Sequence, residues 1–96
     1  MMILITYDVD MTNDSGAKRL RKVAKICENY GIRVQNSVFE LLIDLAQLVA
    51  IKAQLASVID ADKDSIRFYS MGNNWKNKID FIGRPSRINQ GQTLIL

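Results

Sequence analysis

The sequence contains no histidine and a single cysteine, Cys27. The absence of histidine removes the commonest general base and the usual zinc ligand, and it excludes nucleophilic sites of the Ser-His and Cys-His types. A lone cysteine excludes an internal disulfide framework, and its helical spacing among apolar residues indicates a core thiol rather than a nucleophile. No apolar run approaches a membrane span, and the apolar opening segment is too short for a signal peptide. These absences predict a cytoplasmic protein without a membrane partner.

Positive and negative charges occupy different parts of the chain. The 13 lysines and arginines outnumber the 10 acidic residues, for a net charge of +3. Two basic regions flank an acidic one, which favours a polyanion such as nucleic acid as the partner, although two solvated faces would have the same pattern. The basic side chains are Lys18, Arg19, Arg21, Lys22, Lys25 and Arg33 in the first region and Arg67, Lys76, Lys78, Arg84 and Arg87 in the second.

Alternating and helical apolar patterns predict six elements within a single domain that spans residues 1–96. Asp14 or Ser15 is expected to cap the first helix, Gly31 to end it, and Asp44 to cap the second. The order strand, helix, strand, strand, helix, strand is that of the ferredoxin-like α+β sandwich, in which both helices cover one face of an antiparallel sheet. The predicted strands cover 2–9, 32–34, 38–43 and 66–69. The first predicted helix has Leu20, Val23, Ala24 and Cys27 on its apolar side, and the second has Leu45, Leu48, Ile51, Leu55 and either Val58 or Ile59.

The apolar pattern of two strands indicates that the second face of the sheet is also covered. Residues 2–5 and 41–43 are apolar at every position, whereas a sheet covered on one face alternates apolar and polar side chains. The chain also ends in the short apolar segment 93–96, which needs a sheet edge to join. Both features are explained by a homodimer that packs sheet to sheet and exchanges a C-terminal tail or strand, residues 88–96, between its two copies.

Asp8 ends the otherwise apolar first strand, where a carboxylate is costly unless it has a partner or solvent. Alternation along the strand places Ile3, Ile5 and Tyr7 toward the helices and Asp8 toward the open face. A two-fold axis near this strand end would bring two copies of Asp8 together, where they would share a proton or bind a cation. Magnesium accepts one or two protein carboxylates and could then polarise a phosphodiester and activate a water. One carboxylate per chain is nevertheless a sparse metal site.

Two aromatic residues have both a structural and a functional interpretation. Tyr7 most simply belongs to the core, but its position beside Asp8 would also let it orient a phosphate or the attacking water. Trp75 precedes Lys76 and Lys78, an arrangement that would suit contact with a nucleic-acid backbone if the indole is exposed. A simple loop with Trp75 packed down is the alternative.

Several stretches of the sequence share their residues with one known protein family. They are Tyr-Asp-Val at 7–9, the basic helix at 18–25, the segment 30–40, the segments 64–69 and 72–75, and the terminal Thr-Leu-Ile-Leu at 93–96. Together they resemble the small CRISPR-associated endonuclease or adaptor that partners the spacer integrase. The resemblance covers nearly the whole chain, and its most specific part is the block Arg-Val-Gln-Asn-Ser-Val-Phe-Glu at 33–40.

The resemblance implies a ferredoxin-like homodimer with swapped C-terminal strands that serves antiviral defence. Members of the family bridge two integrase dimers during the acquisition of spacer DNA, and many are described as magnesium-dependent endonucleases on single-stranded RNA or double-stranded DNA. By this resemblance Asp8, one from each protomer, holds Mg²⁺ or another divalent cation. The other family positions linked to activity fall on Tyr7, the cluster from Lys18 to Lys22, Arg33 and Phe39.

Two functions remain open from the sequence. The first is a metal-dependent endonuclease, a hydrolase with Asp8 and Tyr7 as catalytic residues and Phe39 in a supporting role. The second is a non-catalytic DNA-binding adaptor that only bridges integrase dimers. Either function predicts nucleic-acid contacts by Lys18, Arg19, Arg21, Lys22, Arg33, Arg67, Lys76 and Lys78.

Overall fold

The computed structural model describes residues 1–83 of the chain. The predicted exchanged tail, residues 88–96, lies outside the described residues. In chain order the elements are β1 (Met2–Asp8), α1 (Asp14–Glu28), β2 (Gly31–Gln35), β3 (Val38–Leu42), α2 (Leu45–Val58), β4 (Ser65–Ser70) and a short 3-10 helix (Trp75–Asn77).

The strands form a four-stranded antiparallel sheet in the order β2-β3-β1-β4. Both helices pack on one face, since side chains of α1 and α2 share a single apolar core with the inward side chains of the strands. This arrangement confirms the predicted ferredoxin-like α+β sandwich. No helix among residues 1–83 is long and apolar enough to cross a membrane.

β1 lies at the centre of the core because it pairs with a strand on each side and turns alternate side chains toward the helices. Ile3, Ile5 and Tyr7 are buried on the helix side, as predicted. The register pairs Ile3 with Leu41 and Ile5 with Phe39, so these side chains share that face. Phe39 is therefore a fully buried core residue, and any support it gives to function must act through packing.

α1 presents one apolar stripe to the sheet, and its two ends differ from the predicted ones. Asn13 is the N-cap rather than Asp14 or Ser15, and its side-chain oxygen accepts a hydrogen bond from the Ser15 amide at 3.0 Å. The helix ends before Gly31, which is instead the first residue of β2. A Cβ atom at this glycine would lie 2.3 Å from a carbonyl oxygen of β3, so close strand packing explains the glycine.

Cys27 is fully buried, as predicted, and burial raises the pKa of its thiol to about 12.

α2 begins at the predicted cap. Asp44 accepts a hydrogen bond from the Gln47 amide at 2.8 Å, and the Gln47 side chain accepts one from the Asp44 amide at 3.0 Å, which completes a capping box. Ile51 and Leu55 enter the core as predicted, but Leu45 is 68% exposed and that part of the prediction was wrong. At 3.6 residues per turn Leu45 lies about 120° around the helix from Ile51, beyond the edge of the buried face.

Candidate functional site

Asp8 lies at the exposed end of β1, on the face of the sheet that the helices leave open. The register opposes Asp8 to Ser65 and Thr6 to Arg67, so all four side chains share this face with Tyr69. A cavity of about 250 Å³ opens there and is lined by these five residues, Thr6, Asp8, Ser65, Arg67 and Tyr69. We call it the Asp8 pocket.

The Asp8 pocket combines one carboxylate with one guanidinium and three hydroxyl groups. Arg67 donates from Nη1 to the Tyr69 hydroxyl at 3.4 Å, which orients the guanidinium along the sheet surface. Among residues 1–83 no three His, Cys, Asp or Glu side chains lie close enough together to hold a metal ion. The donor set nevertheless fits half of a magnesium site, because this ion binds hard oxygen ligands and keeps several waters.

Tyr7 points away from the Asp8 pocket, although the two residues are adjacent in the chain. Its side chain is buried on the helix side, and its hydroxyl donates to Asp64 Oδ2 at 2.6 Å. Burial and the hydrogen bond to Asp64 raise the pKa of Tyr7 to about 12. The structure therefore separates Tyr7 from Asp8 and joins it instead to Asp64, for which the sequence predicts no functional role.

Arg19 and Asp64 form a two-pronged ion pair beneath the strand end. Arg19 Nε donates to Asp64 Oδ2 at 2.7 Å and Arg19 Nη2 donates to Oδ1 at 3.1 Å, and the Asp64 side chain is 0% exposed. Burial alone would raise the pKa of Asp64, but the bonds from Arg19, Tyr7 and two backbone amides hold it well below its usual range. The Arg19 guanidinium thus binds a carboxylate within the protein.

The remaining cations of α1 face solvent on the side of the helix away from the sheet. The α1 residues Leu20, Val23, Ala24 and Cys27 are buried against the strands. The exposed cations are Lys18, Arg21, Lys22 and Lys25, which we call the α1 basic surface. This surface and the Asp8 pocket therefore lie on opposite sides of the sheet.

The predicted basic residues outside α1 divide between the two sides of the molecule. Arg67 lines the Asp8 pocket, whereas Arg33 donates from Nε to the Asn36 carbonyl oxygen at 2.8 Å, and its guanidinium lies 5.7 Å from the centroid of the Phe39 ring. Arg33 thus braces the turn between β2 and β3.

Trp75 is packed down, so the structure supports the loop interpretation over an exposed stacking residue. The residue is only 8% exposed. Lys76 Nζ lies 5.7 Å from the centroid of the indole ring, and Lys78 Nζ donates to the Met71 carbonyl oxygen at 2.9 Å. Both lysines are exposed, but neither lines the Asp8 pocket.

Glu40 is a buried carboxyl group on the open face of the sheet. It pairs with Leu4 on one side and Ile32 on the other, is 7% exposed, and its Oε1 atom has no hydrogen-bond partner among the described residues. Burial raises the pKa of Glu40 above its ordinary value of 4.5. The ionised form is therefore penalised in the folded chain.

We expect Glu40→Gln to raise the thermal midpoint of unfolding by a few degrees at neutral pH but not in mild acid. Below its unfolded pKa, Glu40 is neutral in both the folded and the unfolded chain and does not lower the free energy of unfolding. As the pH rises through the raised folded pKa, the free energy of unfolding falls, because the carboxyl group ionises more easily in the unfolded chain. Glutamine has the same shape and cannot ionise. Thermal unfolding of both proteins across this pH range measures the effect, and a difference that is independent of pH would contradict it.

A small α+β sandwich with a polar, carboxylate-bearing pocket on one side and a row of cations on the other is suited to bind nucleic-acid phosphates. The chain belongs to the family of the CRISPR associated protein Cas2, whose family model matches residues 1–79. The family predicted from the sequence is thereby confirmed.

Two relatives match nearly the entire chain. Over 95 residues the sequence is 54% identical to the CRISPR-associated endonuclease Cas2 of Halalkalibacterium halodurans, with 99% of both chains covered. Over 95 residues it is 48% identical to the CRISPR-associated endoribonuclease Cas2 3 of Rhodospirillum rubrum, with 99% of this chain and 100% of the relative covered. The fold is similar to the crystal structure of Streptococcus pyogenes Cas2, with a TM-score of 0.81, 52% identity, and 86% of this chain and 100% of that chain covered.

Proposed function

We propose that the chain is a metal-dependent endonuclease of CRISPR adaptation that cuts a phosphodiester bond in the Asp8 pocket. The observation that carries this proposal is the exposed Asp8 carboxylate in the same polar pocket as the Arg67 guanidinium. One group can hold a cation and the other can bind a phosphate, and neither role needs histidine. The relatives named endonuclease and endoribonuclease support a nuclease.

The roles of the pocket residues follow from their chemistry. Arg67 binds a phosphate oxygen of the substrate, and its contact with the Tyr69 hydroxyl limits the directions in which the guanidinium can point. Asp8 would hold the divalent cation, and Ser65, its cross-strand neighbour, would offer a hydroxyl group to the waters that such an ion retains. When bound, Mg²⁺ supplies a Lewis acid for the phosphodiester and lowers the pKa of an attacking water.

The second half of the metal site would come from a second copy of the chain. The open face of the sheet carries large side chains that a sheet-to-sheet homodimer would cover, among them Leu42, 41% exposed, and Tyr69, 42% exposed. Such packing would bring one Asp8 from each protomer toward the two-fold axis. Two carboxylates can ligate one magnesium ion only if their oxygens each approach it to about 2.1 Å.

The metal requirement provides the test. The purified protein is incubated with a single-stranded RNA and with a double-stranded DNA, first with Mg²⁺, then with excess EDTA, and finally with Mg²⁺ restored. We expect cleavage of at least one substrate to stop with EDTA and to return with Mg²⁺. Undiminished cleavage in EDTA, or no cleavage of either substrate with Mg²⁺, would refute the proposal.

A second function, binding to duplex DNA as an adaptor between integrase dimers, is favoured by the α1 basic surface. Its four cations are exposed in one helix and lie on the side of the sheet opposite the Asp8 pocket. In a dimer packed through the open faces of the two sheets, the α1 basic surface of each protomer would remain exposed on the outside. Phosphate contacts there would position DNA without sequence preference and would not occupy the pocket. The two functions are therefore compatible.

A further inference from the structure

The Asp64 carboxylate joins the two chain segments that flank the Asp8 pocket. The backbone amide of Asp10 donates to Asp64 Oδ1 at 2.9 Å, and that of Asp60 donates to Oδ2 at 3.1 Å. Asp10 follows Asp8 by two residues, and Asp64 immediately precedes Ser65, the cross-strand neighbour of Asp8. One side chain thus fixes the chain after Asp8 to the turn that leads into the opposite wall of the pocket.

The carboxylate that makes these contacts has little freedom to move. Its two oxygens also accept hydrogen bonds from the Tyr7 hydroxyl, from Arg19 Nε and from Arg19 Nη2. The side chain has no solvent exposure. A buried carboxylate with both oxygens occupied by donors from several elements holds one orientation, since any rotation leaves donors unpaired.

The Asp10 segment is also held against the first turn of α1. Arg19 Nη2 donates to the Asp10 carbonyl oxygen at 3.3 Å. A Cβ atom at Gly16 would lie 2.0 Å from the same oxygen, so only glycine permits this close approach. The segment after Asp8 is therefore fixed by a hydrogen bond at its amide, another at its carbonyl, and direct packing on the helix.

We propose that Asp64 is a positioning residue for Asp8, and that Tyr7 and Arg19 influence cleavage through Asp64 rather than by touching the substrate. This role rests on the proposed nuclease function of the Asp8 pocket. It gives two residues on the helix side of the sheet a physical connection to a pocket on the other side.

The test compares Asp64→Asn with Asp62→Asn, which makes the same chemical change at an exposed position of the same turn. Asparagine replaces one accepting oxygen with an amide nitrogen, so the donors on that side lose their acceptor. We expect Asp64→Asn to lower kcat about 10- to 100-fold and to raise the Mg²⁺ concentration for half-maximal activity by a similar factor. KM for the nucleic acid should change by less than about twofold, and hydrogen exchange of the Asp10 amide should accelerate. Asp62→Asn should behave like the wild type.

Two milder variants keep the test decisive if Asp64→Asn folds poorly. Tyr7→Phe removes one donor to Asp64, and Arg19→Lys keeps the charge but loses the two-pronged contact. Both should fold, and both should shift kcat and the Mg²⁺ requirement in the same direction by smaller factors. A lower thermal midpoint with an unchanged Mg²⁺ requirement in all three variants would indicate a purely structural role and overturn the proposal.

The Asp8→Asn variant separates the two hypotheses. If it cleaves as well as the wild type, the Asp8 pocket is not the active site and the proposed function fails, and the positioning role fails with it. If Asp8→Asn is inactive while Asp64→Asn retains the wild-type kcat and Mg²⁺ requirement, only the positioning role is refuted.

Discussion

Asp8→Asn is expected to lower the turnover number for nucleic-acid cleavage by about a thousandfold. A metal ion that stabilises transition-state charge contributes several kcal/mol, and each tenfold loss in rate corresponds to about 1.4 kcal/mol. The substitution preserves the size of the side chain and removes its negative charge. Asp8 is exposed at the end of its strand, so the fold should be unaffected. Cleavage kinetics at saturating substrate and Mg²⁺ measure the effect, with Asp62→Asn as the matched control.

The same variant should still support spacer integration when it is combined with the integrase. Under the proposed adaptor function, integration would use the α1 basic surface and not the pocket, and Asp8 lies on the other side of the sheet from that surface. Loss of integration together with loss of cleavage, in a protein that remains folded and dimeric, would contradict this separation. Retention of wild-type cleavage would instead exclude Asp8 as the metal ligand.

Replacing the four cations of the α1 basic surface by glutamine is expected to weaken binding to duplex DNA by orders of magnitude at low salt. Each phosphate contact that is lost should reduce the slope of log affinity against log salt concentration by about 0.9. Glutamine has nearly the helix propensity of lysine and arginine, so α1 should be retained. Fluorescence anisotropy at several salt concentrations measures both quantities. The substituted residues are Lys18, Arg21, Lys22 and Lys25.

Single substitutions identify which cations contact the DNA. Lys63→Gln removes an exposed lysine from the turn before β4 and serves as the control for Lys18→Gln. The quadruple variant should cleave a saturating substrate at the wild-type rate, because its changes lie away from the pocket. An unchanged salt dependence would show that duplex DNA binds elsewhere on the protein.

Local patterns in the sequence were sufficient to predict the sandwich, the helix-side position of Ile5 and Tyr7, and the cap at Asp44. Each depends on a short-range rule, either the alternation of side chains along a strand or the hydrogen bonds of a helix end. The same alternation indicates that Tyr7 and Asp8 point to opposite faces. The functional pairing of the two was predicted from their adjacency in the chain and from the resemblance, and neither takes this alternation into account.

The Asp64 network could not be predicted in the same way, because it joins residues 45 and 57 positions apart through the pairing of β4 with β1. The charge distribution and the resemblance assigned Arg19 to the nucleic-acid surface with its basic neighbours. Helical spacing also places Arg19 four residues before the buried Val23 and so on the same side of α1. Which carboxylate it would meet depended on the tertiary fold.

The placement of the α1 basic surface and the Asp8 pocket on opposite sides of the sheet has an evolutionary consequence. Among residues 1–83 no side chain belongs to both, so a substitution that removes one of the proposed functions would leave the other available to selection. A lineage could lose the chemistry through a single change at Asp8 and keep a protein that still organises DNA on its outer surface. Descendants with and without nuclease activity could then share the same fold.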